Sequence, residues 1–98
     1  MALYLVSYDI LGKNDDYQSL WDELDSLNAV RILYSEWATP FEGTGLQLVN
    51  LLVKHVEKGD SLFACELFGG EGPLAWLKLR ISDDEFRKLL KDHARRLT

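Results

Sequence analysis

Leu3-Tyr4-Leu5-Val6-Ser7-Tyr8-Asp9-Ile10 is the stretch whose reading decides the fold. Side chains alternate along a strand, so Leu3, Leu5, Ser7 and Asp9 share one face and Tyr4, Val6, Tyr8 and Ile10 the other. Both faces are largely apolar, which asks for cover on both sides of the sheet. Gly12 to Asn14 reads as a turn, with Asp15 placed to cap the helix behind it. There Tyr17, Leu20, Trp21, Leu24 and Leu27 recur at helical spacing and make one apolar stripe, ending near Asn28. A strand leading into an amphipathic helix sets an α/β alternation for the chain.

Working outward, Val30 to Thr39 is rich in β-branched and aromatic residues, and Pro40 is expected to stop it. Its length predicts two short strands broken near Tyr34 and Ser35. Phe41 to Gly45 is a loop. A second helix follows, with Leu46, Leu48, Val49, Leu52, Val53 and Val56 inside and Gly59 closing it in the left-handed conformation. Ser61 to Phe68 is a strand whose faces, Leu62-Ala64-Glu66-Phe68 and Phe63-Cys65-Leu67, both carry apolar residues. Gly69 to Pro73 is a loop, and Ala75 to Ile81 reads as a short strand. Ser82 and Glu85 form a capping box. It opens a last helix carrying Phe86, Leu89, Leu90, His93 and Leu97 on one side.

The chain has 98 residues, enough for one core and too few for two. Its hydrophobic fraction of 47% excludes a disordered chain. No apolar run approaches the ~18 residues of a membrane span. Ser7 and Asp9 interrupt anything resembling a secretory leader, so a cytoplasmic location is the expectation. The single Cys65 excludes an internal disulfide and a multi-cysteine zinc site. The net charge of −5 argues against a protein that coats DNA nonspecifically. The charge is uneven. Residues 1–77 hold four basic and twelve acidic side chains, whereas residues 78–98 hold seven basic and four acidic ones.

Two helices over a sheet of three or four strands cover one face only. The other face needs the last helix or a second subunit, and a symmetric homodimer is the expected solution.

Asp9 most needs an explanation, because it ends a hydrophobic strand on the face of Leu3 and Leu5. A carboxylate there costs free energy unless paired, solvated or bound to a cation. Two copies meeting on a two-fold axis would bring two Asp9 carboxylates to one magnesium ion. The alternative is that Asp9 caps the following turn through neighbouring amides. Ser35 is a candidate for the same site. His55 and His93 are not spaced as a metal pair, and Cys65 reads as a buried apolar thiol. Gly69-Gly70-Glu71-Gly72-Pro73 lacks the ending of a phosphate-binding loop and reads as a flexible turn. On the last helix Arg87, Lys88, Lys91, Arg95 and Arg96 lie opposite the apolar stripe, either as a nucleic-acid contact or as a solvated face favoured by the helix dipole.

Tyr4-Leu5-Val6-Ser7-Tyr8-Asp9-Ile10 resembles the first strand of CRISPR-associated protein two, the small dimeric member of the spacer-acquisition complex. Arg31-Ile32-Leu33-Tyr34-Ser35-Glu36-Trp37 resembles its second signature, and Asp60-Ser61-Leu62-Phe63 its third block. The likeness covers roughly residues 3–68, is closer still to relatives labelled SinR-like, and extends distantly to VapD ribonuclease toxins. It implies a ferredoxin-like domain, a dimer with facing first strands, and in some members a magnesium-dependent nuclease resting on the strand-end aspartate. Asp9 carries over as the catalytic and metal residue and Ser35 as an accessory one. The family's arginine-rich stretch after the aspartate is replaced here by Leu11-Gly12-Lys13-Asn14-Asp15-Asp16.

The expectation is therefore an α+β, ferredoxin-like βαββαβ sandwich over residues 1–98, with an additional C-terminal strand and helix at about residues 75–98. Function is expected to be phosphodiester hydrolysis by a dimer, or alternatively a non-enzymatic scaffold with a vestigial site and a protein partner. A small-molecule regulatory domain is a third class, since such folds host many functions.

Overall fold

A computed structural model describes residues 1–12, 17–70, 72 and 74–96. It is a mixed α+β domain with one four-stranded antiparallel sheet and three α-helices. The strands are β1 (Ala2–Asp9), β2 (Val30–Leu33), β3 (Glu36–Phe41) and β4 (Ser61–Leu67). The helices are α1 (Gln18–Ser26), α2 (Gly45–Leu52) and α3 (Asp83–His93). The sheet order is β2-β3-β1-β4, with β1 central.

Alternation along β1 sorts its residues as expected. Tyr4, Val6 and Tyr8 enter a core with Tyr17, Leu20 and Leu24 from the α1 region and Leu48 and Leu52 of α2. Leu3, on the other face, joins Ile32, Ala38, Leu67 and Phe86 in a second core, with Leu5 packed against it. α1 ends at a Schellman closure. Asn28 takes the left-handed conformation at φ 62°, its N–H donates to the Asp25 carbonyl, and that of Ala29 to the Leu24 carbonyl. The expected capping residue Asp15 lies outside the described residues.

Between Val30 and Phe41 the chain makes a hairpin turning at Tyr34–Ser35, close to the predicted break. The strand does not stop at Pro40. β3 runs on to Phe41, and Pro40 stands opposite Leu3 of β1. β2 reaches only as far as the Val30–Ala38 pair, so Pro40, lacking an N–H, removes no bond on that side.

α2 begins at a capping box in which Thr44 accepts from the Gln47 N–H and Gln47 returns the bond to Thr44. Leu48 and Leu52 are buried. Leu46 and Val53, expected inside, are 71% and 51% exposed. The α-helix passes into a 3-10 turn over Val53–His55 and ends well before Gly59. Gly59 does have positive φ, at 98°, but it serves the Glu57–Asp60 turn rather than the helix end.

The largest departure is the expected strand over Ala75–Ile81, which does not form. Lys78 has φ 55°, which breaks any extended run, and the segment makes a single backbone bond to the sheet edge, from Arg80 N–H to the Ile32 carbonyl. Leu74, Trp76, Leu79 and Ile81 pack side-on against the sheet's second core, whereas Leu77 is exposed. The segment is thus an irregular strap leading into α3. Ser82 and Glu85 cap that helix as predicted. Strap and α3 together bury Leu3 completely, so the cover assigned to a second subunit comes, at this end of the face, from the chain itself. Among the described residues no helix is long and apolar enough to cross a membrane.

Candidate functional site

Asp9 is the last residue of β1, opposite Ser61 of β4, and its side chain is exposed. The pair before it on the same face is Ser7 and Phe63, and Phe63 is 61% exposed. Ser7, Asp9, Ser61 and Phe63 border a shallow cavity of about 180 Å3. This end of the face is the part that strap and α3 leave open.

The amides that a turn-capping Asp9 would serve have other partners. Leu11 N–H donates to Asp60 Oδ1 at 3.0 Å, and Gly12 N–H donates to the Tyr17 hydroxyl at 2.9 Å. Tyr17 in turn donates to Asp60 Oδ2 at 2.8 Å, and Glu57 N–H reaches the same oxygen at 2.7 Å. Asp60 therefore ties together the loop after β1, the start of α1 and the turn before β4. Burial pushes the Asp60 carboxyl up, but the bonds from Leu11, Glu57 and Tyr17 outweigh it and hold the group below the usual range. Burial likewise pushes the Tyr17 phenol up, and its bond to Asp60 adds to that.

The residue before Asp9 is locked from the other side. The Tyr8 hydroxyl oxygen accepts from Trp37 Nε1 at 3.0 Å, Trp21 Nε1 at 3.1 Å and Arg31 Nη2 at 3.3 Å. Arg31 lies over the rings of Trp21, Tyr34 and Trp37 at 5.1 to 5.6 Å and donates through Nε to the Tyr34 carbonyl. Ser35 sits in the β2–β3 turn, and its carbonyl accepts from Tyr8 N–H at 3.2 Å. The structure thus brings the Ser35 backbone beside Tyr8, one residue from Asp9. Asp9 itself stands between two anchored neighbours, Tyr8 and Leu11, so its position is set although its carboxylate is in solvent.

Sequence reasoning missed Asp60 and the Tyr8–Trp21–Arg31–Trp37 cluster. The cluster had a signal: three large polar aromatics and one arginine fall on inward positions of β1, α1, β2 and β3. Buried indole and phenol groups require partners.

His55 Nε2 lies 3.1 Å from Glu23 Oε1. That contact, with Ser26 and Lys54, holds the Glu23 carboxyl below its usual range against the opposing effect of burial. Cys65 is half-buried, and burial, with Glu36 nearby, pushes its thiol up. Of the cations expected on the last helix, Arg95 and Arg96 lie beyond its end at His93; Arg95 is committed to Glu66 through two bonds of 2.6 Å, and Lys88 to Asp92 at 2.6 Å. Arg87 stacks over Trp76 at 5.5 Å, while Lys91 and Arg96 are exposed. Among the described residues no three His, Cys, Asp or Glu side chains gather as a metal site. No family model matches the chain, and no solved structure matches it.

Proposed function

We propose that this protein is a nucleic-acid-processing homodimer on a ferredoxin-like frame, similar to the small CRISPR-associated spacer-acquisition subunit, with Asp9 at its centre. Two copies facing across the open end of the sheet place two Asp9 carboxylates together to hold magnesium for phosphodiester hydrolysis. When bound, the metal supplies positive charge to the phosphate oxygens. The chain's own part is to fix the carboxylates through Tyr8 and Leu11 and to contact the strand through α3.

The observation that carries this reading is the setting of Asp9. Its exposed carboxylate ends a core strand, while Asp60 and Tyr17 take the Leu11 and Gly12 amides that the turn-capping alternative would need. The frame is supported by the sheet order β2-β3-β1-β4 with α1 and α2 on one face.

The test is cleavage of single- and double-stranded RNA and DNA with magnesium, by the unmodified chain and by Asp9→Asn. The expected result is metal-dependent cleavage that Asp9→Asn removes, together with a magnesium-dependent rise in Tm that the variant also loses. A dimer that neither cleaves nor responds to magnesium identifies the second reading, a scaffold on the same frame. Exposed Phe63 and Leu33 on the open face are what favour that alternative.

A further inference from the structure

One stripe of α3 borders the second core: Leu90 and Ala94 pack against it, and Arg87 and Lys91 beside them are exposed. Arg87, Leu90, Lys91 and Ala94 follow one another at helical spacing, and together with Gly69, Gly70 and Arg96 they line a cavity of about 360 Å3. The glycine loop is clamped over the end of the helix. Gly69 N–H donates to the Arg95 carbonyl at 2.8 Å, and Gly69 and Arg96 form a parallel bridge. Gly70 has φ 108°, a conformation that side chains rarely adopt. Its apolar lining comes from Leu90 and Ala94, and three of its lining residues, Arg87, Lys91 and Arg96, are cationic. Among the described residues the lining contains no carboxylate.

Such a cluster has a cost. Arg87 and Lys91 are like charges one helical turn apart, and Arg96 adds a third in a chain of net charge −5. The helix dipole accounts for Lys91 and Arg96, which lie at or beyond the last turn of α3. It does not account for Arg87, the fifth residue of the helix. Arg87 is held by stacking on Trp76, which donates to Asp83 and meets Phe86 edge-on. Stacking positions the guanidinium while leaving its charge in place. The dipole also places about half a negative charge at this helix end, which three whole positive charges outweigh.

We propose that this cavity binds a phosphate group, and specifically a terminal phosphate monoester. The phosphodiester of a running strand must enter and leave its site, which suits a groove. A concave site closed on one side by the Gly69–Gly70 loop suits a phosphate that ends a molecule. A dianionic monoester also matches three cations better than a singly charged diester. The ligand is the 5′-phosphate end of a nucleic acid or a free nucleotide, which share this chemistry. The site does not involve Asp9 and stands whether or not that residue holds a metal.

The experiment measures binding in EDTA, so that no metal chemistry at Asp9 enters. Two oligonucleotides of one sequence, one with a 5′-phosphate and one with a 5′-hydroxyl, are compared by fluorescence anisotropy. Inorganic phosphate and a nucleoside 5′-monophosphate are tested as competitors. The 5′-phosphate oligonucleotide binds at least about tenfold tighter, and Arg87→Gln/Lys91→Gln removes the difference, as loss of a charge-assisted hydrogen bond requires. Lys88→Gln, at a cation already paired with Asp92, leaves the preference intact. Competition by the mononucleotide at concentrations equal to the oligonucleotide assigns the site to free nucleotides and supports the phosphate chemistry. Phosphorus NMR of inorganic phosphate with the unmodified protein keeps the test valid should the double variant fold poorly. Equal affinity for both oligonucleotides, with no broadening of the phosphate resonance, overturns the proposal.

Discussion

Asp60 joins segments far apart in sequence through one carboxylate, receiving Leu11, Tyr17 and Glu57. The sign of its pH effect follows from the direction of its shift. Burial raises the group, but its three donors lower it by more, so the folded carboxyl titrates below the unfolded one. The stability it contributes is therefore complete above the ordinary carboxylate range and is lost as pH falls toward the depressed folded value. Glu23, Glu66 and Asp92 are shifted in the same direction by His55, Arg95 and Lys88 respectively and lose their contributions in the same window. Tm is expected to fall steeply between about pH 5 and pH 2. Asp60→Asn lowers Tm at neutral pH, because its amide presents a donor where Leu11 or Glu57 already donates, and it flattens part of the acid slope. A slope unchanged by that substitution, followed by circular dichroism, assigns the acid sensitivity to the other carboxylates. None of this was legible from the sequence, where Asp60 is one acidic residue before a strand. Its role depends on Tyr17, 43 residues away, which the helical stripe marks only as apolar.

At the scale of elements, what could be read was what local rules determine. The capping box at Ser82 and Glu85 is a four-residue pattern, and α3 begins where it predicts. The same pattern at Thr44 and Gln47 starts α2, at the end of a stretch that reads from the sequence as a loop up to Gly45. Ser82→Ala leaves the Glu85 N–H without its acceptor and costs about 1 kcal/mol of stability, measured by urea denaturation. Thr44→Ala, by the same reasoning, costs a similar amount. Strands were less legible than helices, since a strand needs a neighbour as well as a pattern. Ala75 to Ile81 has apolar residues at nearly alternate positions but lies across the sheet face and gains no ladder. Pro40 is the reverse case. It looks like a strand end, yet β3 continues because β1 pairs it on the one side that needs no Pro40 N–H.

For the whole molecule, the question is what covers the second face of the sheet. Requiring cover on both faces of β1 was sound, and the structure supplies it unevenly. Leu3 is fully buried, Leu5 half-buried, Ser7 half-buried and Asp9 exposed, a gradient running away from strap and α3. The apolar demand that pointed to a dimer is thus met inside one chain for the first half of the strand. It persists at the second half, where Phe63 is 61% and Leu33 39% exposed on either side of Ser7 and Glu36. A two-fold interface centred there buries both apolar side chains and brings the Asp9 ends of two β1 strands together. Sedimentation over a concentration series is expected to show a dimer at about micromolar concentrations. Phe63→Glu, at a largely exposed position outside both cores, is expected to yield a monomer of little-changed Tm when measured well below the dimer's dissociation constant. It also removes any cleavage activity while leaving terminal-phosphate binding at α3 intact, since that cavity lies wholly within one chain. A Phe63→Glu protein that remains a dimer moves the interface elsewhere and separates the two Asp9 carboxylates, and the paired-aspartate site falls with it.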